Sequence, residues 1–200
     1  MDIRLAALAR IPRQPLYAMN RDSPRRCGMA PAPPVERLCK HLCDSLSQGK
    51  PLDEGLAELL ELTQARATGL WRRDGQRLVL LGFRGADDMP DAVKGEFVEA
   101  TRSVSLTQTG LGIVQAVVSG APALSFVDAQ PRTPATSAGW LARFGAARSV
   151  AVPVVEGDRV IGVIAISTAQ ELKEGDRAWQ VMSQVARSIS KALLARGPGG

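Results

Sequence analysis

The sequence predicts an α+β fold, with one largely antiparallel sheet of five or six strands, helices at both ends of the chain and shorter helices between the strands. Two observations carry this prediction. Segments 68–82 and 148–168 each contain two apolar runs around a short turn with glycine, the pattern of a β-hairpin. Apolar residues at three- and four-residue spacing predict helices within 35–66 and over 174–196.

The first 34 residues differ in composition from the rest. They are rich in proline and hold six arginines against two aspartates, a net charge of +4. Such a segment buries too little apolar surface to offset the entropy lost on ordering. We expect residues 1–34 to be a disordered basic leader, either solvated or an over-extended start, the alternative being an arm for acidic partners. Residues 35–200, expected to form a single domain, carry only +1, so nucleic acid is not an expected partner there.

Two helices precede the first strand. The first spans Val35–Gln48 and ends at Gly49-Lys50-Pro51, and the second spans Leu52–Ala65. Asp53 and Glu54 lie in the first turn of the second helix, where the helix dipole favours acidic residues.

The first hairpin pairs Thr68–Arg73 with Arg77–Gly82 around Asp74-Gly75, a strong hairpin signal. Its second run is continuously apolar, so we expect that strand to be covered on both faces. Residues 85–102 are polar and punctuated, which predicts a loop and a short helix anchored by Phe97.

The central third of the chain alternates short elements. A short strand is expected around Val104–Leu106, a helix over Ile113–Ser119 closed by Gly120, and a strand over Ala123–Val127. Residues 130–137 are rich in proline and threonine and predict a loop.

Ser137 is expected to cap a helix that carries Trp140, Leu141 and Phe144. The second hairpin follows it. Within that hairpin, Val160–Ile166 is apolar on both faces, which places this strand in the middle of the sheet. Pro153 cannot donate to a ladder, so a local irregularity is expected there.

Cysteine and histidine occur only near the N-terminus. Cys27, Cys39, His41 and Cys43 all precede Asp44, and neither residue type occurs after it. The rest of the chain therefore lacks cysteine nucleophiles, thioether attachment sites, histidine ligands for haem and thiolate zinc ligands. A Cys-His-Cys clip is disfavoured because, on a helix, His41 points away from the face of the two cysteines. We expect no catalytic residues, no metal and no cofactor of these kinds.

No window reaches the 18 or so apolar residues that a membrane span needs. The apolar stretch Leu5–Ile11 is too short for a signal core and is broken by Arg10. We expect a cytoplasmic protein without membrane contact.

Three segments in this order resemble the GAF domain family: GLGIVQAVVSGAPALSFVD over 110–128, SVAVPVV over 149–155 and GDRVIGVIAIS over 157–167. The likeness covers residues 52–194. It implies a six-stranded antiparallel sheet with a small-molecule site between one face and the inserted loops and short helices. The terminal helices would pack on the other face and commonly form a parallel dimer. Bilin binding and free methionine sulfoxide reduction, both known in the family, rely on cysteine or histidine and are not expected here.

The resemblance implies an apolar pocket with a few directed polar groups. Arg143 or Arg148 would meet an anionic group, Asp128 would accept a hydrogen bond, and Trp140 would stack on the ligand. The alternative is that Trp140 and Phe144 fill the space themselves. The expected wall residues are Val104, Leu106, Phe126, Asp128, Trp140, Arg143, Phe144 and Arg148.

The predicted terminal helices carry apolar stripes that suit either packing on their own sheet or a homodimer across a two-fold axis. The residues predicted for a dimer are Leu38, Leu42, Met182, Val185, Ile189 and Leu193. The function expected from the sequence is a non-catalytic sensory or regulatory module whose output is a separate signalling protein. The alternatives are an interaction scaffold with a filled pocket, or an enzyme that works with Asp and Arg alone.

Overall fold

The computed structural model describes residues 34–127 and 136–196, which contain six helices and six strands. The helices are α1 (Pro34–Ser47), α2 (Asp53–Thr63), α3 (Asp91–Thr101), α4 (Gly112–Ser119), α5 (Ser137–Phe144) and α6 (Arg177–Ala195). The strands are β1 (Ala65–Asp74), β2 (Arg77–Gly85), β3 (Ser103–Ser105), β4 (Ala123–Phe126), β5 (Arg148–Glu156) and β6 (Arg159–Thr168). The predicted leader, apart from Pro34, and most of the predicted loop 130–137 lie outside the described residues.

The six strands form one sheet in the order β3-β2-β1-β6-β5-β4, and every neighbouring pair is antiparallel. The predicted α+β fold with an antiparallel sheet is thus confirmed. β6 lies between β1 and β5, as its apolar run predicts, and Val163, Ile164 and Ile166 are buried. A strand covered on both faces must be apolar on both faces, and this requirement places it at the centre.

Both predicted hairpins are present. Gly75 and Gly157 occupy their turns with positive φ (56° and 57°), a conformation that glycine adopts without a steric penalty. The irregularity expected at Pro153 lies just after it along β5, because the β5–β6 register shifts between Val154 and Val155.

Helices α1, α2 and α6 cover one face of the sheet, which we call the helical face. Its core is almost entirely aliphatic and includes Leu38, Leu56, Val150 and Ile164, each of which is 0% exposed. α1 and α6 lie side by side, and the Cys43 thiol donates to the Ser188 carbonyl (3.2 Å). The apolar residues that recur every three or four positions on each helix thus form one continuous aliphatic layer.

Helices α3, α4 and α5 cover the opposite face, which we call the cavity face. Thr136, rather than the predicted Ser137, caps α5: its hydroxyl accepts from the Gly139 N–H (3.3 Å). Ser137 instead accepts from the Gly112 N–H (2.8 Å), which ties the start of α5 to the start of α4. α4 ends at Gly120 with φ 68°, as predicted.

Candidate functional site

A cavity of about 50 Å³ lies between the cavity face of the sheet and helices α3, α4 and α5. Ligand pockets for drug-sized molecules are roughly 300–1,000 Å³, so the space takes only a very small molecule unless side chains move. The described lining residues carry no charge: Ala67, Thr68, Gly69, Trp71, Phe83, Phe97, Thr101, Leu111, Ile113, Ser137, Trp140, Leu141, Phe144, Ser149, Ala165 and Ser167.

Aromatic rings form one wall of the cavity. Phe97 of α3 is at the centre of the cluster, with Trp140 and Phe144 of α5 both 5.0 Å away in edge-to-face geometry. Phe83 of β2 is 4.6 Å from Phe97, and Trp71 of β1 is 6.2 Å from it. The Trp71 indole N–H is satisfied by the Thr101 carbonyl (3.1 Å). Such ring pairs hold each other in place, so the wall is rigid and presents flat apolar surfaces.

Two serines on neighbouring strands form the polar part of the sheet floor. Ser149 of β5 lies directly opposite Ser167 of β6, and both line the cavity. Their positions alternate with those of Val150 and Ile166, which point into the helical face, so both hydroxyls point toward the cavity. Neither hydroxyl is hydrogen-bonded within residues 34–127 and 136–196. A ligand in the cavity would therefore find two neighbouring donor-acceptor groups on the floor.

Thr68 also lines the cavity, but its side chain points to the helical face of the sheet. Along β1 it shares its orientation with Leu70, which belongs to the aliphatic core of the helical face. Its Oγ1 is buried and without a hydrogen-bond partner among the described residues. This hydroxyl is thus directed away from the aromatic wall, and we do not count it among the ligand-facing groups.

The charged residues at the rim of the cavity are engaged in ion pairs. Arg143 donates to Glu96 of α3 (2.6 Å), and its guanidinium lies 4.8 Å above the Trp140 ring. Arg66 donates to both carboxylate oxygens of Asp88 (2.7 and 2.9 Å) and to the Phe144 carbonyl (3.0 Å). These hydrogen bonds from Arg66 lower the pKa of Asp88. Both arginines therefore fasten α5 to its neighbours.

The structure brings only part of the predicted wall to the cavity. Trp140 and Phe144 line it, whereas Val104 and Leu106 are buried in the same core without lining it. Arg143 lies at the rim. Asp128 lies outside the described residues.

Phe126 and Arg148 do not reach the cavity. They are paired across β4 and β5, and Arg148 alternates in phase with Val150 of the aliphatic core. Both side chains therefore point to the helical face, where the Arg148 guanidinium lies 5.4 Å from the Phe126 ring and 3.9 Å from a Glu171 oxygen.

The predicted dimer residues are all buried within the chain. Each is 0% exposed and packs in the aliphatic core, so the apolar stripes pack on their own sheet, the first of the two uses that the sequence left open. The set is Leu38, Leu42, Met182, Val185, Ile189 and Leu193. Any contact between copies must use other side chains.

The cysteines and the histidine of the described part lie on α1, across the sheet from the cavity. Cys39 is buried and Cys43 is half-buried, and both are free thiols. Burial raises the pKa of the Cys43 thiol, which disfavours its reactive thiolate form. The His41 ring nitrogens lie 3.6 Å from a carboxylate oxygen of Glu54 and 3.7 Å from one of Glu58. No group of residues in the described ranges is arranged to hold a metal ion.

Residues 47–194 match the GAF domain family, and the chain belongs to it. Members of this family are generally sensory or regulatory modules that bind small molecules. No curated protein sequence matches the chain. No helix in the described ranges combines the length and apolar character required to cross a membrane.

Solved GAF structures share the fold at low sequence identity. The GAF domain of an Acinetobacter phosphoenolpyruvate-protein phosphotransferase is 15% identical with a TM-score of 0.56, over 80% of this chain and 90% of that one. Free methionine-R-sulfoxide reductase from Neisseria meningitidis, in complex with its substrate, is 20% identical with a TM-score of 0.55, over 81% and 87%. The phycoerythrobilin-bound GAF domain of a cyanobacterial phytochrome is 10% identical with a TM-score of 0.55, over 81% and 94%.

Proposed function

We propose that the chain is a non-catalytic sensory module that binds a small, neutral, largely apolar molecule in the cavity and passes the signal to a separate protein. The observation that carries the proposal is the floor of Ser149 and Ser167, two hydroxyls with no partner in the described ranges, beneath a wall of aromatic rings. A hydroxyl that lines a cavity and makes no hydrogen bond to the protein is available to donate to, or accept from, a bound molecule. A ligand with one hydroxyl or carbonyl group and a flat apolar body would supply the partner and stack on the rings.

The charge of the site argues against an anionic ligand. The described lining residues are neutral, and the nearby arginines Arg66 and Arg143 are paired with Asp88 and Glu96. Desolvating a phosphate in this space would leave it without a cation, which is costly. We therefore do not expect cyclic nucleotides to be the ligand.

The second candidate is an interaction scaffold whose cavity is filled by its own side chains. The small cavity volume, about 50 Å³, favours this alternative, because Phe97, Trp140 and Phe144 occupy much of the space that a ligand would need. The two candidates differ in one property: only the sensor has a saturable site for neutral molecules.

A non-catalytic role is supported by the chemistry of the site. Its described residues offer hydroxyls and aromatic rings but no thiol, imidazole or carboxylate, the groups that most often act as nucleophiles or general bases. The two free thiols of α1 fit the reducing cytoplasm expected from the sequence, which we keep as part of the proposal.

Calorimetric titration of the full chain with phenol, indole and cyclic AMP tests the proposal. We expect phenol and indole to bind and cyclic AMP not to bind. Ser167→Ala should weaken phenol binding about fivefold, since one hydrogen bond contributes about 1 kcal/mol. Ser119→Ala, at an exposed position on α4, is the matched control and should leave the affinity unchanged.

Saturable binding of cyclic AMP would contradict the proposed ligand class. If neither phenol nor indole binds, the cavity is filled and the scaffold is the better description.

A further inference from the structure

The outer edge of β4 has no partner strand within residues 34–127 and 136–196. β4 is the last strand of the described sheet, and its one neighbour there is β5. Val127 donates to the Ala147 carbonyl (3.2 Å), so its N–H points toward β5 as in a hydrogen-bonded pair, although the Ala147 N–H donates to the Thr168 carbonyl (2.8 Å) instead. Hydrogen-bonded and non-hydrogen-bonded pairs alternate along an antiparallel ladder, so Leu124 and Phe126 belong to pairs that form no hydrogen bonds with β5. Their N–H and C=O groups therefore point outward, and no residue of 34–127 or 136–196 bonds them there.

The side chains at this edge are apolar and exposed. Leu124 is 44% exposed and Phe126 is 55% exposed, and both lie on the helical face, where α6 covers β5 but not β4. The strand itself has no charge and no proline, the devices that usually protect an edge from pairing. At the other edge of the sheet the two outer residues of β3 are serines and its Val104 is fully buried. Of the two sheet edges, the β4 edge thus combines exposed apolar side chains with backbone groups that have no partner in the described part of the chain.

A hollow of about 220 Å³ lies beside β4 on the same face. It is formed between β5 and α6, close to the point where β4 begins, and has the size of a large apolar side chain. The lining residues are Pro122, Val152, Pro153, Val155, Ser183, Ala186 and Arg187. Phe126 protrudes from one end of β4 and the hollow opens at the other end.

We propose that two copies of the chain form a dimer by antiparallel pairing of their β4 strands. With the two-fold axis at Ser125, Leu124 lies opposite the partner's Phe126, and the outward N–H and C=O groups of both residues pair across the axis. The partner's Phe126 then projects over Leu124 toward Pro122 and the hollow, and the same contact forms on the other side of the axis.

This self-complementarity is the reason for choosing a second copy over an unrelated peptide. Leu124 and Phe126 are exposed, apolar and one residue on either side of Ser125, so a two-fold axis at Ser125 brings each of them opposite the other in the second copy and pairs the outward backbone groups of both. Antiparallel pairing would join the two sheets into one. The contact does not depend on a ligand in the cavity, which lies on the opposite face of the sheet.

Sedimentation velocity of the full chain, from micromolar to millimolar concentration, tests the proposal. We expect the mass to rise with concentration from 21.3 kDa toward about 43 kDa, twice that of the chain. Phe126→Lys and Leu124→Lys should each keep the chain at 21.3 kDa over the whole range, because a charge would be buried at the axis. Val118→Lys is the matched control, since Val118 is exposed (63%) and apolar but lies on α4, and it should still dimerise.

A chain that stays at 21.3 kDa at all concentrations would overturn the proposal. A dimer that survives both Phe126→Lys and Leu124→Lys would overturn it as well.

A cross-link tests the register independently. At the axis the two Ser125 residues form a pair without hydrogen bonds, with Cα atoms about 4.5 Å apart, which is within disulfide range. Ser125→Cys should therefore give a covalent dimer on mild oxidation, well above the background of the unmodified chain with its own three cysteines. Ser119→Cys, at an exposed serine of α4, is the control. Equal yields of dimer from the two variants would contradict the register.

Discussion

The two faces of the sheet are packed in different ways. The helical face buries leucine, isoleucine and valine side chains, most of them at 0% exposure, beneath three helices. The cavity face packs five aromatic rings, four of them buried, beneath shorter helices, and borders a cavity with two serines that have no hydrogen-bond partner among the described residues. Flexible aliphatic side chains fill space completely, whereas rigid rings in edge-to-face contact leave gaps between them. The comparison indicates that one face provides stability and the other keeps room for a ligand.

The largest expected effect is on the aliphatic side. Leu56→Ala should lower the free energy of unfolding by about 4 kcal/mol, because a buried leucine in a filled core leaves a void that its neighbours close only partly. Chemical denaturation measures this loss. A loss below about 1 kcal/mol would mean that the helical face is loosely packed, and the contrast between the faces would disappear.

Phe144→Ala should lower the free energy of unfolding less, by about 3 kcal/mol, since Phe144 already borders a cavity. The same change should enlarge the cavity and strengthen indole binding. Denaturation and calorimetry of one preparation give both values. Destabilisation without a gain in indole binding would indicate that the rings collapse into the space.

Gly69→Ala tests how tightly the floor and the aromatic wall meet. A methyl group at this position would lie 2.5 Å from the Trp71 ring, so the ring must move toward the cavity. We expect a loss of about 2 kcal/mol in the free energy of unfolding and weaker phenol binding. Gly95→Ala is the control, because a methyl group there meets no atom within 4 Å. Equal effects of the two substitutions on phenol binding would argue against a ligand beside Trp71.

The smallest expected effect is that of pH on the stability contributed by the Arg66–Asp88 ion pair at the rim of the cavity. Since Arg66 lowers the pKa of Asp88 in the folded state, the pair contributes stability above the ordinary aspartate pKa of 3.8 and loses it as the pH falls through the lowered value. Asp88 is exposed, so the contribution is small. Asp88→Asn should reduce the acid-dependent loss of stability slightly. Acid titrations followed by circular dichroism compare the variant with the parent chain, and a larger acid-dependent loss in the variant would contradict the assignment.

Periodicity was sufficient to predict the fold, because each element buries a face at its own spacing. The stripe of Leu38 and Leu42 and the two hairpin turns gave the helical layer and the pairing of the strands. Element ends were less accurate: β1 begins at Ala65 instead of Thr68, and α6 begins at Arg177 instead of Glu174. These ends depend on contacts between elements that spacing does not contain.

The candidate site was harder to predict, for a reason that lies in β5 and β6. Both strands are covered on both faces, so hydrophobicity alone does not reveal which residues point to the cavity. Arg148 was expected there, although its neighbour Ser149 faces the cavity. Ser167 and Phe83 were also missed, because the sequence gives no signal for which partner each will meet. Successive side chains of a strand point to opposite faces of the sheet, so once Ser149 is known to face the cavity, the faces of the other β5 residues follow.

The most direct test of the cavity face is a crystal structure of the full chain after soaking with phenol. We predict electron density for one phenol molecule between the Trp140 and Phe144 rings and the sheet, with its hydroxyl within hydrogen-bond distance of Ser149 or Ser167. Phenol bound only at other places, with the Trp140, Phe144 and Ser149 side chains unchanged around a space without ligand, would contradict the account.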